Sequence, residues 1–169
     1  MLDELSDIVL DLGVVGIVER GEQLFRVRIH SSKESYERVT DLGPPAHSDA
    51  KYSNRMSPAG IPMFYGAYDR ETAILETYQK KEGDVPVATI ATFVTAKEFK
   101  VVDLTTLLDM PSLFDRKKRH LRPGLEFLNS FIEELSRPIE KDGREHIEYV
   151  PTQIVTEYFR YVFKDKEGD

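Results

Sequence analysis

Two arginines in an otherwise apolar segment are the first residues whose types and spacing suggest chemistry. Leu24-Phe25-Arg26-Val27-Arg28-Ile29 alternates strictly. As a β-strand it places Leu24, Arg26 and Arg28 on one face and Phe25, Val27 and Ile29 on the other. Such a strand is half buried, and its charged face looks at solvent or at an anionic ligand. Better-known catalytic patterns are absent: there is no GxxxxGK[ST], GxGxxG, HExxH or GxSxG. The four histidines, His30, His47, His120 and His146, are scattered through polar contexts with no metal-ligand spacing. With no cysteine in the chain, disulfides, thiolate metal sites and a cysteine nucleophile are excluded, and no metal is expected.

The elements that must position these residues follow from periodicity. Leu2, Leu5, Ile8, Val9 and Leu12 repeat at helical spacing, so residues 2–12 read as a short amphipathic helix, broken by Gly13 and Gly16. Residues 14–18 fit a strand or a linker. Residues 31–60 are rich in Ser, Asp, Gly and Pro with no periodicity, and a loop that long is uncommon unless it carries function or is disordered. Ile61–Tyr68 reads as a strand. Asp69 is a good N-cap for a helix over Arg70–Lys80, with Ala73, Ile74 and Tyr78 as its buried face. Val85–Thr95 and Phe99–Leu104 are β-rich runs about the turn Ala96-Lys97-Glu98. Pro123 opens an amphipathic helix with the stripe Leu125, Phe127, Leu128, Phe131, Ile132 and Leu135, stopped by Pro138. Glu140–Glu148 is a charged connection, and Pro151 starts a last helix over Thr152–Phe163. Strands and helices that do not alternate regularly predict an α+β fold, a single domain with a mixed, mainly antiparallel sheet and flanking helices.

The chain has 169 residues, enough for one domain that folds without staples. No apolar run approaches the roughly 20 residues of a membrane helix, and the acidic start MLDELSDIVLDL is unlike a signal peptide. A cytoplasmic location is the expectation. Thirty acids against 23 bases leave a net charge of −7, which argues against nucleic acid as a partner. The basic cluster Arg116–His120 is too short to reverse that. Charge and composition leave the oligomeric state open.

The stretch Asn54–Glu76 carries a resemblance. Phe25-Arg26-Val27-Arg28, Asn54-Arg55-Met56-Ser57-Pro58-Ala59-Gly60, Phe64-Tyr65-Gly66-Ala67 and Thr72-Ala73-Ile74-Leu75-Glu76 stand in the order of four motifs of the RES domain family. Pro151-Thr152-Gln153 at a helix start is similar to another of its features. The resemblance spans roughly residues 22–163. It implies an ADP-ribosyltransferase-like fold. It also implies the activity of toxins from toxin–antitoxin pairs, which cleave the nicotinamide–ribose bond of NAD⁺ by hydrolysis, phosphorolysis or ADP-ribosyl transfer. A separate antitoxin protein is the implied partner.

On that resemblance, NAD⁺ is substrate and its pyrophosphate needs cations. Arginine's planar fork suits phosphate oxygens. Arg26 is the first choice, as both a binding and a catalytic residue. Arg55 is second, with Ser57 in the same Gly/Pro-rich turn, and Arg28 lines the site or its rim. Cleavage develops positive charge on the ribose, which a carboxylate stabilises. Glu76 holds the family's position for that role. Its rival Glu71, five residues earlier, fits better as a first-turn acid. Tyr65 or Phe64 could stack on nicotinamide, and alternation lets only one of them face the site, Tyr65 being favoured; Tyr36 is a further candidate. The family's serine lies on a strand after the last helix, in a segment like Gly-Ile-x-Tyr-x-Ser, and this chain ends at Lys164–Asp169 before one. The expected organisation is therefore an N-terminal arm or linker over 1–20 and a RES-like domain over 21–169 that lacks its last strand. The alternative to an enzyme is a truncated, non-catalytic RES-like module that binds a nucleotide or a protein partner.

Overall fold

The computed structural model describes residues 2–78, 87–137 and 145–164. It is α+β, in the order α1 (Leu2–Leu12), β1 (Val15–Val18), β2 (Gln23–His30), α2 (Val39–Leu42), α3 (Arg70–Thr77), β3 (Val87–Val94), β4 (Phe99–Val102), α4 (Arg122–Ser136), α5 (Glu145–Glu148) and α6 (Val150–Tyr161). The chain divides into two compact units: one of residues 1–17, 52–59 and 100–169, the other of residues 18–51 and 60–99.

The first unit holds a helical core. Leu5, Val9 and Leu12 of α1 recur at i, i+4 and i+7 and are buried together with Val14, Leu125, Leu128, Phe131, Val155 and Tyr158. Full burial of Leu125 or Leu128 stabilises by about 1.5–3 kcal/mol each. Gly13 ends α1 at φ +64°. Its N–H donates to Leu10 O and that of Val14 donates to Val9 O, a paired closure that needs a left-handed residue. At Gly124 a Cβ would lie 2.7 Å from Ile8 Cγ2, so α1 and α4 touch where α4 has no side chain. The Ser6 hydroxyl is hydrogen-bonded to the Tyr158 hydroxyl. Residues 5–12 are thus built into this unit's core. Pro123 and Pro151 stand in the first turns of α4 and α6, as their sequence positions predict.

The second unit is built on an antiparallel β2–β3 ladder in the register Leu24↔Phe93, Arg26↔Ala91, Arg28↔Thr89 and His30↔Val87. Val27 is buried, and α3 packs on β2 with Ala73 buried and the Arg70 guanidinium 5.4 Å from the Phe25 ring centre. Asp69 caps α3 as expected, its carboxylate accepting from Thr72 N–H at 2.8 Å.

Three expectations are corrected. Instead of one mixed sheet, the described strands form two two-stranded sheets, β1–β4 and β2–β3. Ile61–Tyr68 is not a strand. Only Ala67 pairs, exchanging N–H···O bonds of 2.7 and 2.8 Å with Phe25. Pro62 has no N–H to donate and Gly66 weakens extended pairing, so this edge of β2 is met at one residue. The 31–60 stretch is not wholly irregular, since it contains α2 and an Asn54–Ser57 bridge. The predicted ends at Lys80 and Val85 lie outside the described residues.

Candidate functional site

The face of β2 that carries Leu24, Arg26 and Arg28 also carries His30, and across the ladder it continues into Phe93, Ala91 and Thr89. Same-face residues two apart on a strand have Cα atoms about 6.6 Å apart. The two arginines therefore leave the same face of β2 at neighbouring positions, close enough for the Arg28 charge to act on Arg26. Each rests on an aromatic ring: Arg26 Cζ is 5.4 Å from the centre of Phe64, and Arg28 Cζ is 5.8 Å from that of Tyr36. Both rings are themselves held. Phe64 meets Phe93 edge to face at 4.9 Å, and Tyr36 meets His30 at 4.7 Å and 90°. The His30 ring is fixed at both nitrogens, Nδ1 to Ser31 O at 2.9 Å and Nε2 to Thr89 Oγ1 at 2.8 Å.

The electrostatics of this pair are unusual. Arg26 Nη1 and Arg28 Nε are buried and have no hydrogen-bond partner. Buried donors without acceptors are costly, and charged ones more so. Burial, then the adjacent Arg28 charge, pulls the Arg26 guanidinium below the usual arginine range, while Tyr65 acts the other way. Among the described residues no carboxylate forms an ion pair with either arginine. Two cations that are partly desolvated, mutually repelling and short of acceptors make a local environment suited to an anion.

The remaining candidates fall in different places. Tyr65 is partly exposed and close enough to Arg26 to affect its charge, but the ring beneath Arg26 belongs to Phe64. Glu76 lies in the last turn of α3 and is solvent-exposed; among the described residues its carboxylate forms no ion pair. Glu71 sits in the first turn of α3.

Arg55 and Ser57 belong to the other unit. There the Arg55 guanidinium caps the end of α4, donating to Glu134 O at 2.8 Å, Leu135 O at 2.5 Å and Arg137 O at 2.7 Å. Three of its donors are thus occupied by the carbonyls that a helix C-terminus leaves unpaired. The turn itself is held from α6: the Thr152 hydroxyl donates to Arg55 O, and Gln153 Nε2 donates to Asn54 O at 2.8 Å. Thr152 and Gln153 are buried, and Ser57 is 1% exposed. In this chain the Pro-Thr-Gln helix start thus latches the Asn-Arg turn.

Phe64 as a support for Arg26, and His30 with Thr89 as supports for Tyr36, are visible only in the structure. Strand phase carried part of the signal, because His30 is the next even-numbered position after Arg26 and Arg28. The β3 register that brings Thr89 and Phe93 alongside had no counterpart in the sequence pattern.

An α+β chain with an arginine-bearing strand, an Asn-Arg turn latched to a Pro-Thr-Gln helix start and a capped helix with Glu76 in its last turn belongs to a definable class. Residues 23–167, most of the chain, match the RES domain, and the chain belongs to that family. No curated protein and no solved structure matches it. Among the described residues no three His, Asp or Glu side chains are grouped to hold a metal ion. No described helix is long and apolar enough to cross a membrane.

Proposed function

We propose that this chain binds NAD⁺ through Arg26 and Arg28 and cleaves its bond to nicotinamide, as a toxin-like enzyme of the cytoplasm with a separate antitoxin as partner. The observation that carries the reading is the pair of buried, acceptor-less guanidinium donors on one strand face. A pyrophosphate supplies the missing acceptors and neutralises two like charges at once. Phe64 and Tyr65 give the apolar walls against which nucleotide rings can lie.

In the reaction the C1′–N bond breaks and nicotinamide leaves with the bonding pair. Positive charge develops on the ribose, and an oxygen nucleophile forms the new bond at C1′ while losing its proton. Glu76 supplies the negative charge that favours this transition state over the ground state. Its carboxylate, with no described partner to compete, is available for a ribose hydroxyl. Water, phosphate or a protein side chain can serve as acceptor, since all share the first step. Arg55 enters this reading as the anchor of the Asn54–Ser57 turn, because its fork is engaged by α4.

Binding tests the reading separately from chemistry. Isothermal titration of NAD⁺ into the wild type and into Arg26→Met is expected to show affinity lower by about tenfold or more in the variant, the value of a charge-assisted hydrogen bond. Equal affinities would remove Arg26 from the site. Binding without turnover would favour a non-catalytic RES module.

A further inference from the structure

Tyr36 lies in a stretch with little regular structure, yet its ring has a defined place. One edge meets the buried His30 ring at 4.7 Å, and the Arg28 guanidinium lies over it at 5.8 Å. His30 cannot easily turn, because Ser31 O and the Thr89 hydroxyl take both its nitrogens. These contacts leave Arg28 Nε buried and without an acceptor, on the same face as the equally unsatisfied Arg26 Nη1. One guanidinium on its own would suffice for a single phosphate. Two, held at neighbouring same-face positions and each backed by its own ring, match two adjoining phosphates that share a bridging oxygen.

We propose that His30 and Tyr36 form a brace that positions Arg28 as a second phosphate contact, so that this site selects ligands with two adjoining phosphates over ligands with one. The inference rests on the NAD⁺ reading above and names what sets the size of the anion. His30 and Tyr36 act here as positioning residues; Arg28 makes the contact. A flexible arginine would have to be ordered at binding, at the expense of its side-chain entropy. The brace has already ordered it.

Nicotinamide mononucleotide carries the same scissile bond as NAD⁺ with a single phosphate, so the two compounds separate selectivity from chemistry. The experiment measures kcat/KM for both on each preparation and compares their ratio, which cancels differences in active fraction. The wild type is expected to prefer NAD⁺ by about tenfold or more. In Tyr36→Leu and His30→Leu the ratio falls by about fivefold or more, and in Tyr36→Phe, which keeps the ring, it stays near the wild-type value. A purely structural role would lower both substrates together and leave the ratio in place. That result, or a wild type with no preference, overturns the proposal. Should the leucine variants fail to fold, Arg28→Gln leaves the brace untouched and must lower the ratio as far; an unmoved ratio there also overturns it. If the wild type cleaves neither compound, the catalytic reading fails on its own. The brace is then judged from the affinity ratio of ADP-ribose to AMP in the same variants, with the same outcomes required.

Discussion

Replacing Gly66 by alanine tests how the ring beneath Arg26 is held. A Cβ built at Gly66 lies 2.8 Å from Phe64 Cε1, 3.2 Å from Phe64 Cζ and 3.4 Å from Phe25 O. Carbon atoms in ordinary contact are about 3.5–4.0 Å apart, so the ring or the backbone must give by several tenths of an ångström. Phe64 is wedged between Phe93 and Arg26. If it yields, the edge-to-face contact, worth about 0.5–1.5 kcal/mol, and the cation–π contact, worth about 0.5–1 kcal/mol, are both weakened. If the backbone yields instead, overpacking costs about 1–3 kcal/mol. Either route gives a loss of roughly 1–3 kcal/mol. For a chain of this size that is a fall in Tm of roughly 2–10 °C by calorimetry, accompanied by weaker NAD⁺ binding. The double variant Gly66→Ala/Phe64→Leu removes the clashing ring atoms, so the alanine should cost less in that background. A Tm within about one degree of wild type, with binding unchanged, would refute the idea that the absent side chain at Gly66 makes room for this ring.

Three other outcomes follow from the same contacts. Arg55→Met removes three donors from the end of α4 and is expected to destabilise by about 1–3 kcal/mol in chemical denaturation; a neutral effect would mean those carbonyls are equally well served by water. Gly124→Ala brings a Cβ within 2.7 Å of Ile8 Cγ2. It should destabilise despite the better helix propensity of alanine, and should do so less in an Ile8→Ala background, a coupling readable in a double-mutant cycle. The Asp69 carboxyl is held below its ordinary value of 3.8 by the Thr72 backbone N–H, then by the Thr72 side chain. Its cap therefore stabilises fully above that ordinary value and is lost as pH falls through the lower folded one. Urea midpoints between pH 6 and pH 2 should lose part of their acid dependence in Asp69→Asn.

Where local chemistry decided the outcome, the sequence was readable. Asp69 capped α3 because its carboxylate reaches the orphan N–H groups of one turn. Pro123 and Pro151 opened helices because a first-turn residue needs no donor. Alternation over Leu24–Ile29 placed Arg26 and Arg28 together because a strand's period is two. The family resemblance and the α+β class were legible for the same reason, being carried by short ordered motifs. What depends on partners distant in sequence was not legible. The Arg55 fork is taken by carbonyls about 80 residues away, and no pattern near Arg55 announces them. Phe64 lies under Arg26 in a stretch where only Ala67 pairs with β2, so strand alternation alone did not reveal which ring supports the guanidinium. One sheet became two because strand pairing is set by packing rather than by propensity. His30 looked like one of four scattered histidines until the β3 register supplied Thr89.

The most direct test of the central claim is nicotinamide release from NAD⁺ by the purified chain, with and without phosphate, beside Glu76→Gln and Arg26→Met. The wild type is expected to release nicotinamide, with a loss of about a hundredfold or more in kcat for Glu76→Gln, as for removal of one transition-state electrostatic contact, and a raised KM for Arg26→Met. Phosphate dependence would identify the acceptor. No release from the folded wild type, or release undiminished in Glu76→Gln, would contradict the claim.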